Sequence, residues 1–315
     1  MKINTGLALP FVVLMLWSVG VVSAADPTEI SEPGRLHVAV YRDYAPFADE
    51  GEGIDVDVAK ALAGKLGLTA DVKSYPDADS IDGDLRNIIW KGHPLWRERL
   101  ADVMMHVPVE PAVISKNEQV KIFAPYFRER LVVVRNVNRI PELPTLQIFT
   151  TEKIGVQAET LEDRYLMDSF GGLLRENVVH FATIPDATAA LRKGEIAAVM
   201  GRQTLIEAGL AGQAGNFVIS TAPAPGLAIA GWELGLAVKA DHPELAASLD
   251  QAMAELLKDG SIERIFAKRG LSYRAPAAAE PKDGRHVTDR MERMPDGAGA
   301  AASRLSPVSH QSDSR

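Results

Sequence analysis

The sequence predicts an α/β protein made of two successive units, each a mainly parallel sheet flanked by helices. Two observations predict it. Strand-like and helix-like patterns alternate from Arg35 to Arg274, and partway along the chain the alternation restarts. In addition, "ADVMMHV" (residues 101–107) and "EIAAVMG" (195–201) are continuous apolar runs, the pattern of strands buried on both faces.

In order, "RLHVAV" reads as a strand and "DVDVAKALAGKLG" as a helix. Val58, Leu62 and Leu66 form its apolar stripe, Asp55 and Asp57 lie in its first turn, and Gly67 is its stop. "TADVKSY" is a strand, and "DGDLRNIIWKG" a helix that turns Leu85, Ile88 and Ile89 inward and ends at Gly92. After "ADVMMHV" the second unit begins with strands "RLVVVRN" and "KIGVQ", and helix "TLEDRYLMDSF" with Thr160 as N-cap. Strand "NVVHFA", helix "PDATAALRKG", strand "EIAAVMG" and strand "ELGLAVKADHP" follow. Two helices close the pattern: "PELAASLDQAMAELLKDG", and "SIERIFAKRG" with Ser261 as N-cap. In sheets of this kind ligands bind beyond the carboxyl ends of the strands.

Bulk composition removes several classes of function. A length of 315 residues suits about two domains. The formal net charge of −8 opposes a nucleic-acid binder, because that affinity comes from Lys and Arg on phosphates. With no cysteine there are no disulfides, thiolate metal sites or Cys nucleophiles. "GEGIDVDV" alternates acidic and apolar residues but lacks calcium-loop spacing. No nucleophile–His–acid order or phosphate loop is present, so no enzyme, cofactor or metal is expected.

The ends have their own character. Lys2, the apolar run Leu7–Val22 and the small residues of "VSAA" read as a secretory signal peptide over residues 1–24. Export to a periplasm follows. Residues 276–315 are rich in Ala, Pro, Gly, Ser and Asp and poor in core formers, the composition of a disordered tail.

"YAPF" after the first strand, "GIDVDVAKALAGKLGL", "IFAPYFRERLVVV", "IGVQAETLEDRYL", "AALRKGEIAAVMG", "LGLAVKADHPEL" and "AELLKDGSIERIFAKRG" occur in one order. In that order the chain resembles the family-3 extracytoplasmic solute-binding proteins, the periplasmic receptors of polar amino-acid ABC transporters. The resemblance implies a two-lobed, type II periplasmic-binding-protein-like fold. Lobe 1 would hold residues 34–128 and 233–275, and lobe 2 residues 129–232, with crossings near Phe127–Arg130 and Ala230–Leu234. It also implies a monomer that closes about a hinge on a small solute and delivers it to a transporter permease.

The same resemblance assigns candidate ligand contacts. Tyr44 would pack on the solute, with Phe47 beside it and Pro46 fixing the backbone between them. Where these receptors carry an Arg that clamps the ligand carboxylate, this chain has Asn117; where they carry an Asp for the ligand ammonium, it has Arg202. The departure disfavours a zwitterionic amino acid in the family's pose and favours an anionic group on Arg202. The other possibilities for Arg202 are solvent or an ion pair with Glu207. His106 and Glu110 stand where the receptors have small residues, and His106 offers an imidazole donor for an anion. Gln157, Thr160 and Trp232 complete the candidate set.

A narrower resemblance rests on "GEG", "DLRNIIWKG", "ADVMMHVP" and "APYFRE". It is to solute-binding-protein-like partners of periplasmic quinoprotein alcohol and methanol dehydrogenases, and it makes Trp90, Trp96 and Arg97 candidates for a partner-facing patch. Cyclohexadienyl dehydratases resemble the receptors too, with His106 and Glu110 as the acid–base candidates here.

Overall fold

The computed structural model describes residues 29–78, 80–95, 99–210, 216–227 and 231–277. The expected signal peptide, Trp96, Arg97 and all of the expected tail beyond Ala277 lie outside the described residues.

β1 (Arg35–Tyr41) leads through a loop into α1 (Ile54–Lys65), whose predicted stripe of Val58, Leu62 and Leu66 is buried. β2 (Thr69–Tyr75) follows Gly67, which takes φ 69°. α2 (Ile81–Leu85) starts at Ser80, whose hydroxyl accepts from the Gly83 N–H, and runs on into a π-helical turn, Arg86–Trp90. Leu85, Ile88 and Ile89 point inward as the pattern requires. β3 (Val103–Pro108), α3 (Pro111–Lys116) and β4 (Val120–Asn136) complete the first half of the chain. Then come β5 (Ile154–Gln157), α4 (Leu161–Asp168), β6 (Val178–Phe181), α5 (Ile184–Arg192), β7 (Ala198–Arg202), α6 (Gln203–Leu210) and β8 (Phe217–Thr221). β9 (Gly231–Lys239), α7 (Pro243–Lys258) and α8 (Ser261–Lys268) end the fold.

The strands hydrogen-bond in the order β2-β1-β3-β9-β4-β7-β5-β6, with β8 also on β4. β2-β1-β3 and β7-β5-β6 are parallel, as α/β crossovers demand; the pairs that join them through β9 and β4 are antiparallel. β4 is shared. Its first part, Val120–Arg130, lies on β9, and its last part, Leu131–Asn136, lies on β7 and β8.

Apolar cores follow this division. α1, α7 and α8 cover β1, β3 and β9 on one face, while Leu85, Ile88 and Ile89 pack on Met104 and Ala237 on the other. Beyond Arg130, one core forms around Phe149, Leu166 and Met200 and another around Val132, Leu191 and Ile206.

Several elements differ from the sequence pattern. A strand is expected only at residues 130–136, yet β4 is 17 residues long. Its first part reads "VKIFAPYFRER", with Pro125 and charged residues in the run, and becomes a strand because β9 pairs with it. α3, α6 and β8 are short elements with no clear period of their own. Gly260, not Ser261, is the N-cap of α8: its left-handed φ of 72° turns the chain directly from α7 into α8. Packed chain also reaches past the expected start of the tail, since Pro276 is buried and the Ala277 N–H donates to Glu233 Oε1.

Two irregularities face each other across β9. Register shifts between Met104 and Val107 on β3, and between Phe123 and Phe127 on β4. His106 at φ 63° and Ala124 at φ 49° lie inside these bulges. Gly235 of β9 sits between them, where a Cβ would meet the Phe123 carbonyl oxygen at 2.5 Å. Both bulges lie toward the end of the sheet at which the candidate site opens.

Candidate functional site

A cleft of about 660 Å³ opens where β1, β2, β3 and β7 end and β9 begins. This is the position that α/β topology favours for a ligand, and the size suits a small molecule.

The loop after β1 is built onto the start of α1. The N–H groups of Ile54 and Asp55, free because they open the helix, donate to the carbonyls of Pro46 (3.1 Å) and Phe47 (2.9 Å). Gly53 makes this contact possible: at φ 138° its absent Cβ would lie 2.0 Å from the Phe47 carbonyl oxygen. The Ala45–Pro46 peptide is cis, and Tyr44 and Ala48 exchange backbone hydrogen bonds across the turn. Phe47 is thereby driven into the core, 1% exposed, against Phe127, and it stacks beneath Tyr44 with ring centres 5.9 Å apart. Tyr44 is left lining the cleft.

Arg202, the last residue of β7, reaches Tyr44 from the opposite wall. Its guanidinium carbon is 5.6 Å from the Tyr44 ring centre, and its Nη1 donates to the Tyr44 hydroxyl. Among the described residues Arg202 makes no ion pair within 4 Å, and Glu207 is taken by Gln203 and by the Ser272 N–H instead. Its field nonetheless reaches buried acids. Burial raises the pKa of Glu129 and of Glu162, and Arg202 opposes the rise in both. Burial likewise raises the Tyr44 phenol, with Arg202 pulling the other way.

The floor is an imidazole. The bulge in β3 brings His106 against three aromatic rings, with centres 4.3 Å from Phe47, 5.0 Å from Tyr44 and 6.2 Å from Tyr41. Its Nδ1 is 3.0 Å from Oδ2 of Asp55, which is 1% exposed, and Asp55 Oδ1 accepts from the Tyr126 hydroxyl at 2.5 Å. Burial, reinforced by Asp55, holds the Tyr126 phenol well above its ordinary range.

The remaining wall is acidic. The Tyr41 hydroxyl donates to Asp84 Oδ2 at 2.9 Å, and Asp84 Oδ1 accepts from the Ala78 N–H at 2.6 Å. Burial raises both Tyr41 and Asp84 above their ordinary values. Asp43 and Asp77 line the same cleft, with Arg42 beside them.

Tyr44, His106, Arg202 and Trp232 are therefore brought together around one cavity. The other candidates stand elsewhere. Phe47 is beneath the cleft. Glu110 is the N-cap residue of α3 and does not line the cavity. Asn117 follows α3, where its amide donates to Asp82 Oδ1 (2.8 Å) and the Val113 carbonyl (2.9 Å). Gln157 ends β5 and Thr160 caps α4, the Thr160 hydroxyl donating to the Gln157 carbonyl at 2.8 Å; neither lines the cavity. Sequence reasoning missed Tyr41, Asp84 and the Asp55–Tyr126 pair. Asp55 looked like a helix-dipole acid, and only its burial reveals another use.

Residues 36–270 match the family described as bacterial extracellular solute-binding proteins, family 3. A probable ABC transporter arginine-binding protein of Chlamydia trachomatis serovar D is 25% identical over 254 residues, 77% of this chain and 88% of that protein. Among solved structures, an ancestral cationic amino acid solute-binding protein superposes with a TM-score of 0.57 at 20% identity, covering 75% of this chain and 95% of its own. An amino acid ABC transporter substrate-binding protein from Streptococcus pneumoniae, bound to L-arginine, gives 0.51 at 19% identity, covering 76% and 96%. These structural likenesses establish the fold. None of them lends support to an association with a quinoprotein dehydrogenase.

Proposed function

Because the chain belongs to the bacterial extracellular solute-binding proteins, family 3, we propose that it is the periplasmic solute receptor of an ABC-type transporter. It binds a small polar solute with an anionic group on Arg202. The lobes are residues 34–128 with 233–275, and residues 129–232. The hinge is the pair of crossing strands, where Phe127–Arg130 lies on Gly231–Leu234.

The observation behind this reading is the Arg202 guanidinium, unpaired with any carboxylate among the described residues and held over Tyr44 in the cleft. A planar guanidinium is suited to bidentate recognition of a carboxylate, and an aromatic ring supplies a rigid platform. Relatives named for arginine binding, together with Asp43, Asp77 and Asp84 on the facing wall, add a second feature. The solute carries its anion toward Arg202 and can place a cationic or polar group toward those acids.

A thermal-shift panel of L-arginine, L-glutamine, L-glutamate, succinate, benzoate and glucose tests the proposal. A ligand at a hundredfold over its dissociation constant stabilises by about 2.7 kcal/mol. The expected result is a clear shift with a carboxylate-bearing member that falls to about half or less in Arg202→Ala. A shift of undiminished size in Arg202→Ala, or no shift across the panel, would contradict it.

A further inference from the structure

Packing does not stop at α8. Residues 271–277 run back along the strands that cross between the lobes and bond to each in turn. The Tyr273 hydroxyl donates to the Tyr126 carbonyl at 3.1 Å, and the Tyr273 ring centre lies 5.3 Å from that of Phe266 and 6.3 Å from that of Phe127. At Arg128, β4 has β9 on one edge, while β7 and β8 join the other edge only from Leu131 on. The Arg274 carbonyl fills that gap, accepting from the Arg128 N–H at 3.1 Å. On β9, Glu233, which stands opposite Arg128 in register, accepts from the Ala277 N–H at 2.7 Å. One further bond reaches the other lobe: the Ser272 N–H donates to Glu207 Oε2 of α6 at 2.8 Å.

Resting on the two-lobe reading above, we propose that residues 271–277 are a strap along the hinge, and that the Ser272–Glu207 bond is a latch holding lobe 2 where Arg202 meets Tyr44. α6 begins at Gln203, directly after Arg202, so Glu207 and the cleft arginine ride on one rigid piece. Glu207 Oε1 accepts from the Gln203 amide, whose oxygen in turn accepts from Arg130 Nε on the crossing strand. The same acid therefore ties strap, α6 and crossing strand together. A lobe rotation that carries α6 away from the strap parts Glu207 from Ser272 and Arg202 from Tyr44 in one motion. The latch favours the approach of the two cleft walls before any solute arrives, and the solute completes the closure.

Spin-label distances test this, since a chain without cysteine takes thiol labels only at introduced ones. Lys60→Cys on α1 and Lys193→Cys after α5, both exposed positions, report the separation of the lobes. Glu207→Ala deletes the acceptor of the latch and Ser272→Pro its donor. In solute-free protein each should lower the ratio of the parent's distance population to a second one by about tenfold, the effect of one hydrogen bond to a charged group. Glu207→Gln keeps an oxygen for the Ser272 N–H and should keep the parent distribution. A distribution unchanged in either deletion, or moved as far by Glu207→Gln as by Glu207→Ala, would overturn the latch. The readout needs no solute, so failure of these variants counts against the latch alone, and failure of the ligand panel against the receptor reading.

Discussion

Arg202 and Tyr44, 158 residues apart, meet across the cleft: the guanidinium donates to the phenol oxygen and lies 5.6 Å from the ring centre. The contact joins the end of β7 to the loop after β1, so strands from the two parallel triplets face one cavity. A solute carboxylate drawn to Arg202 would lie beside that ring.

Gly53 fixes the platform. Gly53→Ala forces a Cβ onto the Phe47 carbonyl at a φ that side chains rarely adopt. The expected cost is at least about 2 kcal/mol, from backbone strain plus the clash. Urea unfolding measures it, and a midpoint equal to the parent's would show that the Tyr44 loop does not depend on this close approach.

Asp55 ties the cleft floor to the core. Asp55→Asn leaves one acceptor oxygen for two donors and should cost about 1.5–3 kcal/mol, the range for hydrogen bonds to a charged group. Tyr126→Phe removes one of the same bonds and should cost less. If the two variants unfold at the parent's urea concentration, the buried pair contributes nothing to stability.

Glu129 gives a pH dependence. Burial raises its folded pKa, against the opposing pull of Thr204, the Arg130 N–H and Arg202. The folded state then binds more protons than the unfolded chain above the unfolded value of about 4.3. The stability carried by the protonated form is present below that value and is lost as pH rises through the raised folded one. Glu129→Gln cannot lose a proton, so it should gain stability relative to the parent at pH 7.5 and little at pH 4.5. A difference independent of pH between those two conditions would contradict the assignment.

How much of this was legible depended on how local the cause was. β3 shows in the sequence because a strand covered on both faces needs no alternation, and α1 because its stripe and its glycine stop lie within a dozen residues. The first part of β4 does not show, because β9, more than a hundred residues later, makes "VKIFAPYFRER" a strand. Tyr44, His106, Arg202 and Trp232, which the family resemblance pointed to, all line the cavity. Asn117 and Glu110, drawn from the same resemblance, stand outside the cavity, since Asn117 is held by Asp82 and Glu110 opens α3. Position in a pattern gave the neighbourhood, but hydrogen bonds that sequence cannot display decided the direction of each side chain. The acidic wall was missed for the same reason: nothing in the sequence around Asp84 shows that Tyr41 donates to it.

The most direct test of the central claim is a calorimetric titration of the best carboxylate-bearing panel member into the parent protein and Arg202→Ala. The account predicts that the variant loses about 1.5–3 kcal/mol of binding free energy, the contribution of a charge-assisted hydrogen bond in a sheltered site. Equal affinities in the two proteins would place the solute away from Arg202 and contradict the account.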